Sequence, residues 1–184
     1  TMLLLTNFAI FQVAWLTSVI GGAKEMPWLG PVAVLVALAV HLSFARRRFE
    51  EILLVLSCAV LGASFDSALV ASGWVSYKSG LISENLAPYW IVTMWMLFAT
   101  TLNVSMRWMR GKPLLAAAFG FVGGPAAYLA GQSLGGIILV NQPAALIALA
   151  IGWAIMMPTL MWLSENFDGM PGQPRKWTAE RVDQ

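Results

Sequence analysis

Charge is scarce in this chain. Lysine and arginine number 11, aspartate and glutamate 9, and together they make up 11% of 184 residues. A soluble domain carries about 25%. A chain this poor in charge cannot cover a water-facing surface, which excludes a soluble globular domain. The single cysteine, Cys58, excludes an intramolecular disulfide and a cysteine metal cluster. The single histidine, His41, cannot build a histidine-rich zinc or di-iron site. No GxSxG elbow or SxxK motif is present. The glycine runs lack the strand and the lysine of a nucleotide loop. The sequence therefore implies no metal, no cofactor and no nucleic-acid partner.

What is present is oil. Hydrophobic residues make up 59% of the chain, and mean hydropathy is +0.73. A membrane-crossing helix needs about 20 mainly apolar residues. Six runs qualify: 3–22, 28–45, 50–73, 87–108, 113–132 and 144–163. The expected fold is an all-α integral membrane protein, a bundle of six transmembrane helices over 1–163 with a cytoplasmic tail at 164–184. The runs are continuous and too long for the alternating segments of a β-barrel. The first lacks the basic start and small-residue site of a cleaved signal.

Basic residues give the direction. If six helices alternate, Arg46, Arg47, Arg48, Arg107, Arg110, Lys112, Arg175, Lys176 and Arg181 share one face, and only Lys24 and Lys78 lie on the other. A nine-to-two split predicts both termini in the cytoplasm. Trp28, Trp74 and Trp90 fall at the outer helix ends, and Trp108 and Trp162 at the inner ones, as headgroup-level rings do. Trp15, Trp95 and Trp153 lie mid-span and read as packing residues, with pocket lining as the alternative.

The few polar side chains within the spans should face protein or a cavity. Asp66 lies in the outer third of helix 3, near Tyr128 and Gln132 of helix 5 and Gln12 and Trp15 of helix 1. These five are the candidate ligand-binding residues. Asn7, His41, Asn103 and Arg107 form a candidate inner polar cluster, with Thr93, Thr100, Asn103 and Arg107 read as following one face of helix 4. Helix rise separates His41 from Asp66 by about 10–15 Å in depth, too far for an acid–base pair. For Asp66 three roles stay open: a structural hydrogen-bonded carboxyl, a cation or proton site, and a headgroup contact or general base.

Gly120 and Gly124 form one GxxxG pair and Gly131 with Gly135 another, a spacing that lets helices approach closely. Pro125 and Pro158 read as kinks, or as breaks that expose carbonyls at a site. The segment 133–143 is too short to span and is expected to lie flat at the outer interface or cap the bundle. Trp177 and its basic neighbours in the tail are expected to touch anionic headgroups.

The order of motifs adds a resemblance. NFAIFQVAW (7–15), PWLGPVAVLVALAVHL (27–42), LGASFDSALVASGWVSY (61–77), APYWIVTMWMLFATTLNVSMRWM (87–109) and FVGGPAAYLAGQSLG (121–135) are similar to the bacterial inner-membrane family catalogued as domain of unknown function 2878. The likeness spans helix 1 to helix 6. It implies a small multi-pass protein of the bacterial inner membrane, often encoded beside fatty-acid-modifying enzymes, and it brings no established activity.

The leading expectation is a protein that binds or transports a lipid, fatty acyl group or small amphiphile through an outer-half polar pocket. One alternative is a non-catalytic membrane subunit or scaffold, as a homo-oligomer or beside lipid-modifying enzymes. The other is an intramembrane lipid-modifying enzyme with Asp66 or His41 as base.

Overall fold

The computed structural model describes residues 2–172. Six α-helices carry the fold: α1 (Met2–Ala23), α2 (Leu29–Phe44), α3 (Arg48–Ala71), α4 (Tyr89–Leu102), α5 (Pro113–Ser133) and α6 (Gln142–Asn166). Two three-residue strands, β1 (Val75–Tyr77) and β2 (Ile137–Leu139), pair antiparallel, with Ser76 opposite Ile138. The architecture is almost wholly helical, and α1, α3, α5 and α6 are each long and apolar enough to cross a membrane. Leu35, Val60 and Ile147 stand more than 60% exposed on helix faces. This mixture of long apolar helices and outward-facing aliphatic side chains is that of a membrane protein.

The other two helices are short. At 1.5 Å per residue, the 16 residues of α2 and 14 of α4 span about 24 and 21 Å, below the roughly 30 Å of a hydrocarbon core. The centre of the bundle is α4, which packs against α1, α2, α3 and α6. Its Trp90, Leu97, Ala99 and Leu102 have no exposed surface. Because α4 is enclosed by protein, irregular backbone at both its ends can be satisfied within the chain rather than left to lipid.

That irregular backbone departs from the sequence expectation in three places. The helix expected over 87–108 ends at Leu102. The hydroxyls of Thr100 and Thr101 bond back to the carbonyls of Leu97 and Phe98 at 2.7 and 2.6 Å, a competition that weakens a helix end. The amides of Val104 and Met106 both return to the Thr101 carbonyl. Asn103 and Arg107 therefore do not continue the α4 face. Asn103 caps the helix, and Arg107 opens a short 3-10 turn (Arg107–Met109).

The second departure is the β-ribbon. Of the two readings for 133–143 the structure favours the cap, built as a strand pair that the sequence did not suggest. Its β2 hydrogen-bonds to β1 of the long α3–α4 connection and closes one end of the bundle, held by Gln132, whose Oε1 accepts from the Leu139 amide at 3.1 Å. Third, Trp90 is buried rather than set at a headgroup level, and its indole donates to the Ser79 carbonyl at 3.0 Å. Pro125 and Pro158 sit inside unbroken helices, so neither opens a site by breaking its helix.

At the opposite end, residues 167–172 fold back beneath the helices. The Gly169 carbonyl accepts from the amides of Arg46 and Arg47. Arg175, Lys176, Trp177 and Arg181 lie outside the described residues.

Candidate functional site

Asp66 is fully buried in α3 near the ribbon. Three aromatic donors converge on it. Oδ1 accepts from the Tyr77 hydroxyl at 3.2 Å and from the Tyr128 hydroxyl, and Oδ2 accepts from the Trp95 indole at 2.6 Å. They come from β1, α5 and α4, so one carboxylate ties three elements to α3. The rings supply apolar surface and the polar tips supply donors. Burial, and then the adjacent Asp66 charge, pushes the Tyr77 phenol well above its ordinary value, which keeps it a donor.

Beside this carboxylate lies a cavity of about 350 Å³, within the 300–1,000 Å³ typical of small-molecule sites. Its walls come from α1, α4, α5 and α6. Aromatic rings dominate: Phe11, Trp15, Trp95, Phe98, Phe119 and Trp153. Gly120, Gly123 and Gly124 floor the α5 side. Trp95 and Trp153 stack with ring centres 4.8 Å apart and planes 23° apart. The pair is clamped between glycines, because a Cβ on Gly62 would fall within the Trp95 ring and one on Gly124 against Trp153. Thus the Gly120–Gly124 spacing is spent inside the chain, on the close approach of α5 to α6. No extensive packing joins α1 to α5 across the cavity.

A second polar group occupies the opposite end. Glu51, fully buried in the first turn of α3, meets His41 Nε2 at 2.7 Å through Oε2. Its Oε1 accepts from Asn103 Nδ2 at 2.6 Å and from the Gly169 amide at 2.8 Å. Asn103 also donates to the Phe167 carbonyl and accepts from Arg110. Asp168 takes Arg107 bidentately at 2.9 and 3.0 Å and Arg110 at 2.7 Å. Two carboxylates thus face two guanidiniums and a histidine, with Glu51 fully buried and Asp168, Arg107 and Arg110 partly so. Asn7 stands next to this group but bonds elsewhere, to the Thr100 carbonyl and Ser105 hydroxyl. Only about 20 Å³ of space lies between Asn7 and His41.

Of the five candidate ligand residues, Asp66 and Tyr128 are bonded to each other, and Gln12 and Trp15 line the cavity with them. Gln132 does not line it and fastens the ribbon instead. In the inner group His41 and Asn103 meet through Glu51, Arg107 joins through Asp168, and Asn7 is set apart. Sequence reasoning missed Tyr77, Glu51, Arg110 and Asp168; Trp95 had pocket lining as its second reading, and its bond to Asp66 was not foreseen. A signal existed for Glu51: it lies four residues past the short 45–47 connection and His41 four residues before it, so antiparallel helices bring them side by side. His41 and Asp66 each have other partners, at opposite ends of the bundle. Among the described residues, no group of three His, Cys, Asp or Glu side chains is placed to hold a metal ion.

The model of a family described as Protein of unknown function (DUF2878) matches residues 4–159. The chain belongs to that family. No curated protein and no solved structure matches it.

Proposed function

We propose that this DUF2878 protein binds a lipid, a fatty acyl group or another small amphiphile in the cavity beside Asp66. The observation that carries the reading is a 350 Å³ aromatic-walled space; an opening between α1 and α5, which pack little against each other, is part of the reading. In a bilayer such an opening meets hydrocarbon, so the molecules able to enter are those already dissolved there. The Asp66 carboxylate has all its donors within the protein, which favours a positioning role over proton transfer. The tight charge set around Glu51 leaves no room for a substrate. Both features support binding rather than catalysis. With its glycine pair occupied by Trp153, the face that would serve a scaffold is already used.

In this reading all six helices cross a bacterial inner membrane, α2 and α4 with help from the ribbon and the 103–112 segment. The nine-to-two basic split puts both ends of the chain in the cytoplasm. Single-cysteine accessibility at Lys78 and at Lys112 tests the frame; labelling of position 112 from the outside would reverse it. Native mass spectrometry of the full chain, released from membranes in mild detergent, tests the binding. A retained lipid-sized adduct is expected, and it is lost in Gly123→Leu. A Cβ at Gly123 meets only the Phe119 ring within 4 Å, so the larger side chain fills the cavity without pressing on backbone. Absence of any adduct from the unmodified chain sinks the proposal.

A further inference from the structure

The middle of α1 holds an unusual group. Gln12 is the eleventh of the 22 residues of α1, so its amide lies at about half the helix length. It is exposed and lines the cavity, yet it makes no hydrogen bond to any described residue. Trp15, one turn on, lines the same wall, and its indole N–H likewise has no partner among the described residues. On the facing walls, Gly123 of α5 and Trp153 of α6 also lie at the centres of their helices. The Trp153 indole N–H is buried and likewise has no partner among the described residues, so three hydrogen-bonding groups stand open at the level where a bilayer offers neither water nor headgroups. An amide left unpaired in such surroundings is costly, by several kcal/mol on water-to-hydrocarbon scales. The occupant of the cavity is the available partner.

Charge narrows the occupant further. The cavity lining contains no lysine, arginine or histidine, and its one carboxylate, Asp66, is already met by three donors. An anionic group would approach a carboxylate with no cation to offset it. A cationic group would have to displace the tyrosine and tryptophan donors to reach Asp66. Neither obstacle applies to an uncharged oxygen, which accepts from the Gln12 amide or the Trp15 indole and, as a hydroxyl, donates to the Gln12 carbonyl.

Resting on the binding reading above, we infer that the cavity selects a long apolar molecule bearing an uncharged hydroxyl or carbonyl oxygen, which it holds at mid-depth against Gln12. Free fatty acids and amines of the same length are discriminated against.

Four sixteen-carbon probes separate the possibilities: hexadecane, hexadecanol, palmitate and hexadecylamine. Each is titrated into the full chain in detergent at pH 8 and read by native mass spectrometry. Hexadecanol is expected to bind roughly tenfold more tightly than hexadecane, the range of one net hydrogen bond, and more tightly than either charged probe. In Gln12→Leu the alcohol's advantage over the alkane should shrink several-fold, with alkane binding no weaker than before; that retained binding shows the variant is folded, and an unchanged advantage overturns the role of Gln12. Equal binding of alcohol and alkane to the unmodified chain overturns the inference and leaves the lipid-binding reading standing. So does a preference for palmitate or hexadecylamine. If none of the four binds, the lipid-binding reading falls and this inference falls with it.

Discussion

The two ends of α3 each bury a carboxylate, and they satisfy it by opposite means. Asp66 is surrounded by neutral donors on aromatic rings, and a cavity remains beside it. Glu51 is surrounded by a histidine, an asparagine and a backbone amide, with two guanidiniums and a second carboxylate close by, and almost no space remains. Neutral donors compensate a charge without adding one, so the ribbon end stays nearly apolar apart from one point and suits a greasy ligand. Charge pairs bind their elements tightly, so the opposite end joins α2, α3, the end of α4 and the 167–169 segment into one clamp. In the proposed reading the first arrangement serves a site and the second a fold.

The sharpest way to break this contrast is to remove each carboxylate and compare stabilities of the full chain in detergent by thermal unfolding. Glu51→Ala leaves the Asn103 amide and Gly169 N–H without their acceptor and His41 without its partner. It should cost about 3–5 kcal/mol, as breaking a buried charged network does. Asp66→Ala strands three neutral donors, two of which, Tyr128 and Trp95, border the cavity. About 1–3 kcal/mol is expected, together with loss of the lipid adduct. A larger loss for Asp66→Ala than for Glu51→Ala would invert the assignment of site and clamp. Tyr77→Phe removes the longest of the three bonds to Asp66 and keeps the ring against Trp90, 5.7 Å away edge-on. It should cost about 1 kcal/mol and leave lipid binding unchanged. The smallest effect belongs to Gln12→Leu, which touches neither carboxylate. The unliganded protein should keep its stability to within about 0.5 kcal/mol; a marked destabilisation would make Gln12 a structural residue.

Much of this contrast is written in the chain and some is not. The apolar runs locate all six helices, because twenty residues of hydrocarbon admit few other structures. Asp66 and Tyr128 meet because depth along two parallel-running helices is set by the fixed rise per residue. Depth does not give rotation about a helix axis, and Trp95 was therefore read as packing although its indole donates to Asp66. The end of α4 was hidden for another reason. Thr100, Thr101 and Asn103 are compatible with a helix, and only their side-chain bonds, to the backbone for the threonines and to Glu51 for Asn103, decide that the chain turns there. The ribbon was hidden because strands of three residues carry no readable alternation. Asp168 escaped because the contacts that fix it come from residues about sixty positions earlier.

The position of Gly169 has a consequence for biogenesis. A Cβ there would run into the Arg47 carbonyl, and its amide and carbonyl fasten it to Glu51, Arg46 and Arg47. Yet it follows α6 in chain order. During synthesis Glu51 is made long before its glycine partner, and Arg107 and Arg110 before Asp168. Until then Glu51 keeps its His41 partner but lacks the Gly169 amide, and the two guanidiniums lack their carboxylate.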